Sequence, residues 1–295
     1  MILSIFIQLL INSLVVGAIY ALVASGFSLI YSVNKFVHFA HGATIAFSAY
    51  FLYYLFSVLG LNFGFSIVIT VIFSSLFGYG MNYFVYGQLR KNKTSSVMLL
   101  VGSLGLLILI ESLTLILFGS NAKRIGLMNI SKGIELGGAF ITPLQIVIII
   151  VSILLLVGLF VFTKKTKLGI SMRAVSDNES VAEIVGISSK RIYSWSFIIG
   201  SALSGVAAIL IGLEHNLGPT MGTNLMIRGF VATIIGGIGS VYGAIFGAFL
   251  LGIVETFGVW YIPSAYKDAI VFSLLLIFLL FRPDGILGHR RKEVK

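Results

Sequence analysis

The chain has 295 residues, of which 58% are hydrophobic and only 10% are charged, and its formal net charge is +10. Soluble domains are usually about a quarter charged, so this composition excludes an ordinary soluble protein. Apolar runs of about 20 residues, long enough to cross a hydrocarbon core, recur along the chain. They predict an all-α, polytopic transmembrane helical bundle.

The first sixty residues allow two arrangements of membrane segments. The chain is apolar over 2–31 and again over 43–59, with a polar stretch between, and its start lacks the features of a cleaved signal peptide. Two spans would place the N-terminus outside the cell, whereas a short extra piece near 23–37 would place it inside. We favour the extra piece because the second half of the chain suggests the same layout.

In the second half, the apolar stretch 225–258 would be roughly 50 Å long as one helix, which is too long for one ordinary span. Its glycine cluster GGIGSVYG at 236–243 predicts a break between a short helix and a full span. With two such broken or short helices, the chain has about ten crossings and both termini in the cytoplasm. Eight or nine crossings are the alternative.

These two breaks are the first candidates for a substrate pathway, because non-helical backbone at membrane depth requires protein or a water-filled cavity around it. His38 and His41 could share a helix face as metal ligands. A third ligand is not evident nearby, so hydrogen bonding to freed backbone groups is the better interpretation, and we expect no metal. The candidate break residues are Asn34, His38, His41, Gly42, Gly236, Gly237, Gly239 and Ser240.

Four charged residues fall within or next to predicted spans, namely Lys35, Glu111, Arg228 and Glu255. Ionisable side chains are costly in lipid, and each is therefore a candidate for a transport role. A structural role competes with this interpretation. Lys35 and Arg228 could extend to the interface, and Glu111 and Glu255 could pair with cations inside the bundle.

Basic residues are concentrated in three segments, which predicts the side of the membrane on which each lies. Fourteen of the twenty Lys and Arg residues fall in 88–96, 163–193 and 282–295. Loops rich in these residues are retained in the cytoplasm, so all three segments are expected there. This topology explains the net charge without a nucleic-acid partner. The absence of cysteine excludes disulfides and Cys-ligated metals.

The cytoplasmic loop 163–192 contains a short amphipathic helix. Asp177 or Ser176 is expected to cap it, and Gly186 is expected to end it. Such a helix could lie on lipid or dock into a groove of a soluble partner, and its acidic residues favour docking because they disfavour anionic lipid. The candidate docking residues are Arg173, Asp177, Asn178, Glu179, Ala182, Glu183, Gly186 and Ile187.

The sequence contains no constellation of residues typical of an enzyme. The phosphate-binding pattern G-x-x-x-x-G-K-[ST] is absent, so the chain is not expected to bind ATP in that way. The GGIGS sequence does not follow a soluble strand and has no ribose-binding acid in the expected context. We therefore expect neither catalysis nor a cofactor in this chain.

Four segments, taken in order, resemble one family. They are VHFAHGATIAFSAY, MRAVSDNESVAEIVGISSKRIY, FVATIIGGIGSVYGAIFGAFLLGIVE and YKDAIVFSLLLIFLLFRPDGILG. Over nearly its whole length the chain is similar to the first of the two permeases in bacterial ATP-binding-cassette (ABC) importers for branched-chain amino acids. The family motif usually reads N-F-A-H-G-E, and this chain departs from it at His38 and Ala43.

This resemblance implies one transmembrane permease domain, 1–295, in the bacterial cytoplasmic (inner) membrane. It implies three kinds of partner besides the lipid bilayer: a second permease subunit, two cytoplasmic ATPase subunits that bind ATP, and an extracytoplasmic substrate-binding protein. The helix at 175–186 would be the coupling helix seated in an ATPase groove. Relatives that move urea or short amides leave a second substrate class open. A self-contained secondary transporter or channel is the rival from another class, and a scaffold subunit is a third alternative.

Overall fold

The structure is a computed structural model that describes residues 2–126 and 133–288. Helices dominate the described residues. The first half contains α1 (Ile2–Asn34), α2 (Ala40–Tyr53, with a π-helical turn at Tyr54–Val58), α3 (Phe63–Gly80), a π-helical stretch (Met81–Tyr86), α4 (Gly87–Lys91) and α5 (Ser96–Phe118). An antiparallel hairpin of β1 (Ile134–Leu136) and β2 (Ala139–Ile141) follows. The second half contains α6 (Pro143–Lys165), α7 (Lys167–Asp177), α8 (Glu179–Ile184), α9 (Ser189–Glu214), α10 (Met221–Gly236), α11 (Val241–Tyr261), a 3-10 turn (Ser264–Tyr266) and α12 (Lys267–Phe281).

Seven helices in the described part of the chain are long and apolar enough to cross a membrane, and α10 is a shorter apolar helix. This confirms the predicted all-α, polytopic membrane architecture. The count of ten crossings is not confirmed. The seven are α1, the continuous helix Phe63–Lys91, α5, α6, α9, α11 and Ser264–Phe281.

The predicted short piece near 23–37 is wrong, because α1 runs without interruption from Ile2 to Asn34. Gly26 lies within this helix without breaking it. The absence of a side chain there lets α1 approach α9 closely. A Cβ atom there would lie 2.7 Å from the carbonyl oxygen of Gly200 on α9. The helix ends instead at Lys35, whose φ of +58° leaves the right-handed helical region. The two halves of the chain therefore do not share one layout.

The N-terminal end of α1 lies on the face opposite the loop formed by α7 and α8. Near that end, Gln8 exchanges two hydrogen bonds with the backbone of Phe140 in the hairpin, at 2.8 and 3.0 Å. Just beyond the other end, the Lys35 ammonium donates to Ser176 on α7 at 3.5 Å. The expectation that the N-terminus lies on the same face as this loop is therefore wrong. Residues 289–295 of the basic tail lie outside the described residues.

The predicted split of 225–258 is confirmed, since α10 ends at Gly236 and α11 begins at Val241. Close approach of backbones holds these two helices together. A Cβ atom at Gly247 would overlap the carbonyl oxygen of Ala232. Small residues of this kind let membrane helices pack without a gap. The central helix α1 packs against α9, α10 and α11, and the buried core surrounds it.

Candidate coupling surface and polar cleft

The first break, residues 35–39, is held by a side chain from another helix. Ser103 on α5 accepts a hydrogen bond from the Phe39 backbone N–H at 3.2 Å and lies 3.2 Å from the Val37 carbonyl, to which it donates. At the end of α1, the Asn34 amide donates to the Ile30 carbonyl at 2.8 Å. Backbone groups freed by the break are thus satisfied by neighbouring polar side chains, as a membrane interior requires.

Arg90, near the end of α4, joins three helices beside this break. Its guanidinium donates to the side-chain oxygens of Asn34 at 2.6 Å and Asn82 at 3.0 Å. Those two amides in turn donate to hydroxyls on α9, Asn34 to Ser196 at 2.8 Å and Asn82 to Ser194 at 3.1 Å. The end of α1, the π-helical stretch and the start of α9 therefore share one hydrogen-bonded cation.

The same guanidinium connects to the α7–α8 loop through Tyr193. The central carbon of Arg90 lies 4.3 Å from the centre of the Tyr193 ring, which is a cation–π distance. The Tyr193 hydroxyl donates a short hydrogen bond to the carboxylate of Glu179 on α8. A continuous set of contacts therefore runs from α8 to the first break.

His38 and His41 are completely buried in the bundle. His38 Nδ1 lies 2.9 Å from the Tyr86 hydroxyl, and its other ring nitrogen has no hydrogen-bond partner among the described residues. Gly42, next to His41, lies against α10, where a Cβ atom would be 2.7 Å from the Gly222 carbonyl oxygen. In the described ranges, no group of three or more His, Asp and Glu side chains is arranged to hold a metal.

The loop helix α8 is shorter than the sequence suggests and begins one residue later. Its cap is Asn178, whose side chain accepts from the Val181 N–H at 3.1 Å, so the expected cap at Asp177 or Ser176 is wrong. Asp177 belongs instead to the end of α7, the helix that also carries Arg173. An extended backbone at Asn178 separates the two helices.

The C-terminal end of α8 forms a Schellman motif. The N–H groups of Gly186 and Ile187 donate to the carbonyls of Glu183 and Ala182, at 3.0 and 2.9 Å. Gly186 has a φ of +87°, as the motif requires. This turn exposes an apolar surface, which we call the α8 tip, formed by Val181 (54% exposed), Ile184 (84%) and Val185 (69%). Ala182 faces inward and is only 2% exposed.

The second break, residues 237–240, is closed by the segment that follows α12. Ile286 and Leu287 donate their N–H groups to the carbonyls of Ile235 and Gly236, each at 2.9 Å. Gly237 and Gly239 have positive φ, and Ser240 caps α11 by accepting from the Gly243 N–H at 3.1 Å. The RPDGILG segment at 282–288 is therefore hydrogen-bonded, backbone to backbone, to the end of α10, and we call this contact the clasp.

The four predicted membrane charges lie in three different places. Lys35 is exposed beside α7 and is therefore not inside the bundle. Glu111 accepts a hydrogen bond from the Thr223 hydroxyl. Arg228 and Glu255 lie together, with Arg228 Nε 3.4 Å from the Glu255 carboxylate. The Glu255 side chain is fully buried, whereas that of Arg228 is 12% exposed.

A polar cleft of about 620 Å³ surrounds the Arg228–Glu255 pair. It lies on the face opposite the α7–α8 loop and is lined by the ends of α1, α6, α9, α10, α11 and α12 on that side. Lys267 Nζ and the Tyr20 hydroxyl both donate to Glu255 Oε1, at 2.8 and 2.9 Å. Neither His38 nor His41 lines this cleft.

A protein-family model described as the permease component of the branched-chain amino acid transport system matches residues 9–280. The chain belongs to this family. Two relatives cover almost its whole length. The high-affinity branched-chain amino acid transport system permease protein BraD of Pseudomonas aeruginosa is 33% identical over 98% of this chain and 97% of its own. The corresponding permease protein LivH of Escherichia coli K12 is 30% identical over the same shares.

Membership of the branched-chain amino acid permease family agrees with the fold. The chain is a multi-pass protein of the cytoplasmic membrane, and its family members are permease components of ABC importers. A solved structure of PsaBC from Streptococcus pneumoniae in complex with Fab superposes with a TM-score of 0.51 at 15% identity, covering 92% of this chain and 91% of that one. At this identity the superposition shows a shared fold only.

Several residues that complete these sites are not identified from the sequence alone. Arg90 contributes there only as a topology charge, and neither Tyr193 nor Asn82 stands out. The sequence signal that could have identified Asn82 and Arg90 is a polar residue close to a basic residue at the end of a span. Lys267 gives little signal because it precedes the last apolar run, and Tyr20 gives little because it lies inside the first.

Proposed function

We propose that this chain is one of two permease subunits in an ATP-driven importer for branched-chain and other hydrophobic amino acids. The observation that supports this most directly is the α8 tip, on a chain of this family. The proposed assembly contains a second permease subunit, two cytoplasmic ATPases that hold the ATP, and an extracytoplasmic binding protein. This chain would contribute half of the pathway and no catalytic residue or cofactor.

The α8 tip supports docking to a soluble partner rather than to the chain itself. Three large apolar side chains are exposed within five residues, on a loop that lies outside the candidate spans. Apolar side chains in such a patch gain about 25 cal/mol for each Å² removed from water. A groove of an ATPase subunit would supply that burial by the helix-in-groove mode.

The contacts behind the tip suggest how docking would reach the pathway. Movement of α8 would pull on Tyr193 through Glu179, and Tyr193 supports the guanidinium of Arg90. Arg90 in turn holds Asn34 at the end of α1. An ATPase that closes on the tip would therefore bias the position of the first break. Coupling of this kind needs a two-state element that both sites influence.

Uptake by the complete importer tests the proposed function. We expect proteoliposomes with both permeases, both ATPases and the binding protein to accumulate labelled leucine only when ATP is supplied on the side of the membrane that carries the ATPases. Unlabelled isoleucine and valine should compete, because apolar pockets discriminate similar side chains only modestly. Competition by urea but not by valine would favour the short-amide alternative. Uptake by this chain without the ATPases would favour a self-contained transporter.

Tyr193→Phe should separate docking from transmission, because it removes only the hydroxyl that binds Glu179. The ring under Arg90 is kept. We expect the ATPases to remain bound and active, while leucine transported per ATP hydrolysed falls about fivefold, at the lower end of typical coupling free energies. The measurement is paired uptake and ATPase assays on the same vesicles.

Tyr242→Phe is the matched control, since its hydroxyl lies 3.0 Å from the Thr163 hydroxyl near the same end of the bundle and does not contact α8. Glu179→Ala combined with Tyr193→Phe should be no worse than either alone, because both changes remove the same hydrogen bond. Additive losses, or an equal loss in the control, would contradict the proposed route.

A further inference from the structure

The polar cleft contains a buried carboxylate whose second oxygen has no partner. Glu255 Oε1 receives hydrogen bonds from Tyr20, Arg228 and Lys267, whereas Oε2 has none among the described residues. The side chain is 0% exposed. An unsatisfied buried carboxylate oxygen is expensive, so it needs an explanation such as a ligand that supplies a donor.

Two cations, Arg228 and Lys267, lie beside this carboxylate, and both contact its Oε1. Arg228 also pairs with Asp268 at 2.9 Å, but the Asp268 side chain is 70% exposed. Exposed ion pairs contribute little, typically about 0–1 kcal/mol, so another anion could replace Asp268 at small cost. Lys267 is 41% exposed at the rim of the cleft. The cleft therefore offers a buried carboxylate with an unpaired oxygen and two cations, of which Arg228 has a second, exposed partner that another anion could replace.

Part of the cleft wall is aliphatic, beside polar side chains such as Asn12, Glu214 and Asn224. Side chains of α1, α9, α10 and α11 line it, among them Val16, Ile19, Ile211 and Leu225. A volume of about 620 Å³ falls in the range of small-ligand sites. A site with an unpaired carboxylate oxygen, two neighbouring cations and aliphatic side chains matches a small zwitterion that carries an aliphatic side chain.

We infer that this cleft is a binding site for the zwitterion of an aliphatic amino acid, on the side of the permease from which substrate arrives. The ligand ammonium donates to Glu255 Oε2, and the ligand carboxylate binds Arg228 in place of Asp268 and also contacts Lys267 at the rim of the cleft. The aliphatic side chain packs against the Val16–Leu225 wall. This inference rests on the proposed function and assigns a substrate site to it. The site is distinct from the two breaks, because none of the candidate break residues lines the cleft.

Photo-crosslinking of the complete importer tests the site. The probe is the diazirine analogue of leucine, added to the wild-type complex in lipid nanodiscs without ATP, and the labelled peptides are mapped by mass spectrometry. We expect labelling of the cleft wall on α1, α9 or α10 that excess leucine prevents. Lys267→Met should reduce this labelling about tenfold, as expected from loss of one charge-assisted hydrogen bond.

Matched variants separate ligand binding from structural support. Glu255→Gln keeps the side-chain shape and an acceptor for Tyr20, and it should also reduce labelling about tenfold. Lys123→Met and Glu135→Gln remove like charges outside the cleft on the same face and should leave labelling unchanged. Lys267 is partly exposed, so its variant remains informative even if Glu255→Gln fails to fold.

Labelling confined to other surfaces, or cleft labelling that Lys267→Met leaves unchanged, would overturn the site. The same purified complex, reconstituted into closed vesicles with ATP, is assayed for leucine uptake with its binding protein. Uptake without cleft labelling refutes this inference alone, whereas absence of leucine uptake in the active complex refutes the proposed function.

Discussion

Ile184→Glu is expected to abolish ATP-driven leucine uptake while leaving the permease folded. Ile184 is 84% exposed at the α8 tip, so the change removes no contact inside the chain. In a docked complex the same position would place a carboxylate in an apolar groove. Loss of the buried Ile side chain alone costs about 1.5–3 kcal/mol, and burial of an unpaired charge costs more. We expect ATPase binding to weaken at least tenfold.

Co-purification of the ATPases with the permease measures this effect directly, and vesicle uptake measures its consequence. Ile134→Glu is the matched control, because Ile134 is 50% exposed in the hairpin on the opposite face. Its uptake should equal that of the wild type. If Ile184→Glu keeps full uptake with the ATPases bound, the α8 tip is not the docking surface.

Gly247→Leu is expected to prevent stable packing of α10 on α11. A Cβ atom at Gly247 would overlap the Ala232 carbonyl oxygen and would lie 2.8 Å from the Gly236 nitrogen. Both obstacles are backbone atoms, which cannot rotate away as a flexible side chain would. Overpacking of cores usually costs about 1–3 kcal/mol, and a clash with fixed backbone should exceed that range.

The measurement is the apparent Tm and the monodisperse fraction of the detergent-solubilised complex. Gly158→Leu is the control, because no atom lies within 4 Å of a Cβ built at Gly158 on α6. That variant should keep the wild-type Tm or raise it slightly, since leucine is a better helix former than glycine. Equal Tm values for the two variants would show that the contact between Gly247 and the α10 backbone does not limit packing.

The all-α, membrane-spanning class of the protein can be predicted from the sequence, because the composition and the length of the apolar runs determine it. It also predicts the break after α10, since clustered glycines that need positive φ are visible in one dimension. The prediction fails at α1, where the short piece near 23–37 rested on analogy with the layout of the second half. The helix is continuous there, and Gly26 lets it approach Gly200, a contact between distant residues that leaves no local signal.

The candidate sites divide in the same way. The loop helix and its end at Gly186 follow from local patterns, although the cap lies one residue later than predicted. The Arg90 contacts and the cleft do not. Tyr20 and Glu255 are separated by 235 positions, so no spacing rule connects them. Sequence alone identifies Arg228 and Glu255 as costly residues but cannot show that they are neighbours.

The clasp between the end of α10 and Ile286–Leu287 has a consequence for biogenesis. The carbonyls of Ile235 and Gly236 accept hydrogen bonds from donors that lie about fifty residues later in the chain. Ribosomes add roughly 5–20 residues per second, so these groups stay unpaired for seconds while α11 and α12 are inserted. The second break therefore reaches its final form only after the last span is in place. A chain truncated just after α12 would retain its hydrophobic spans yet leave these acceptors open.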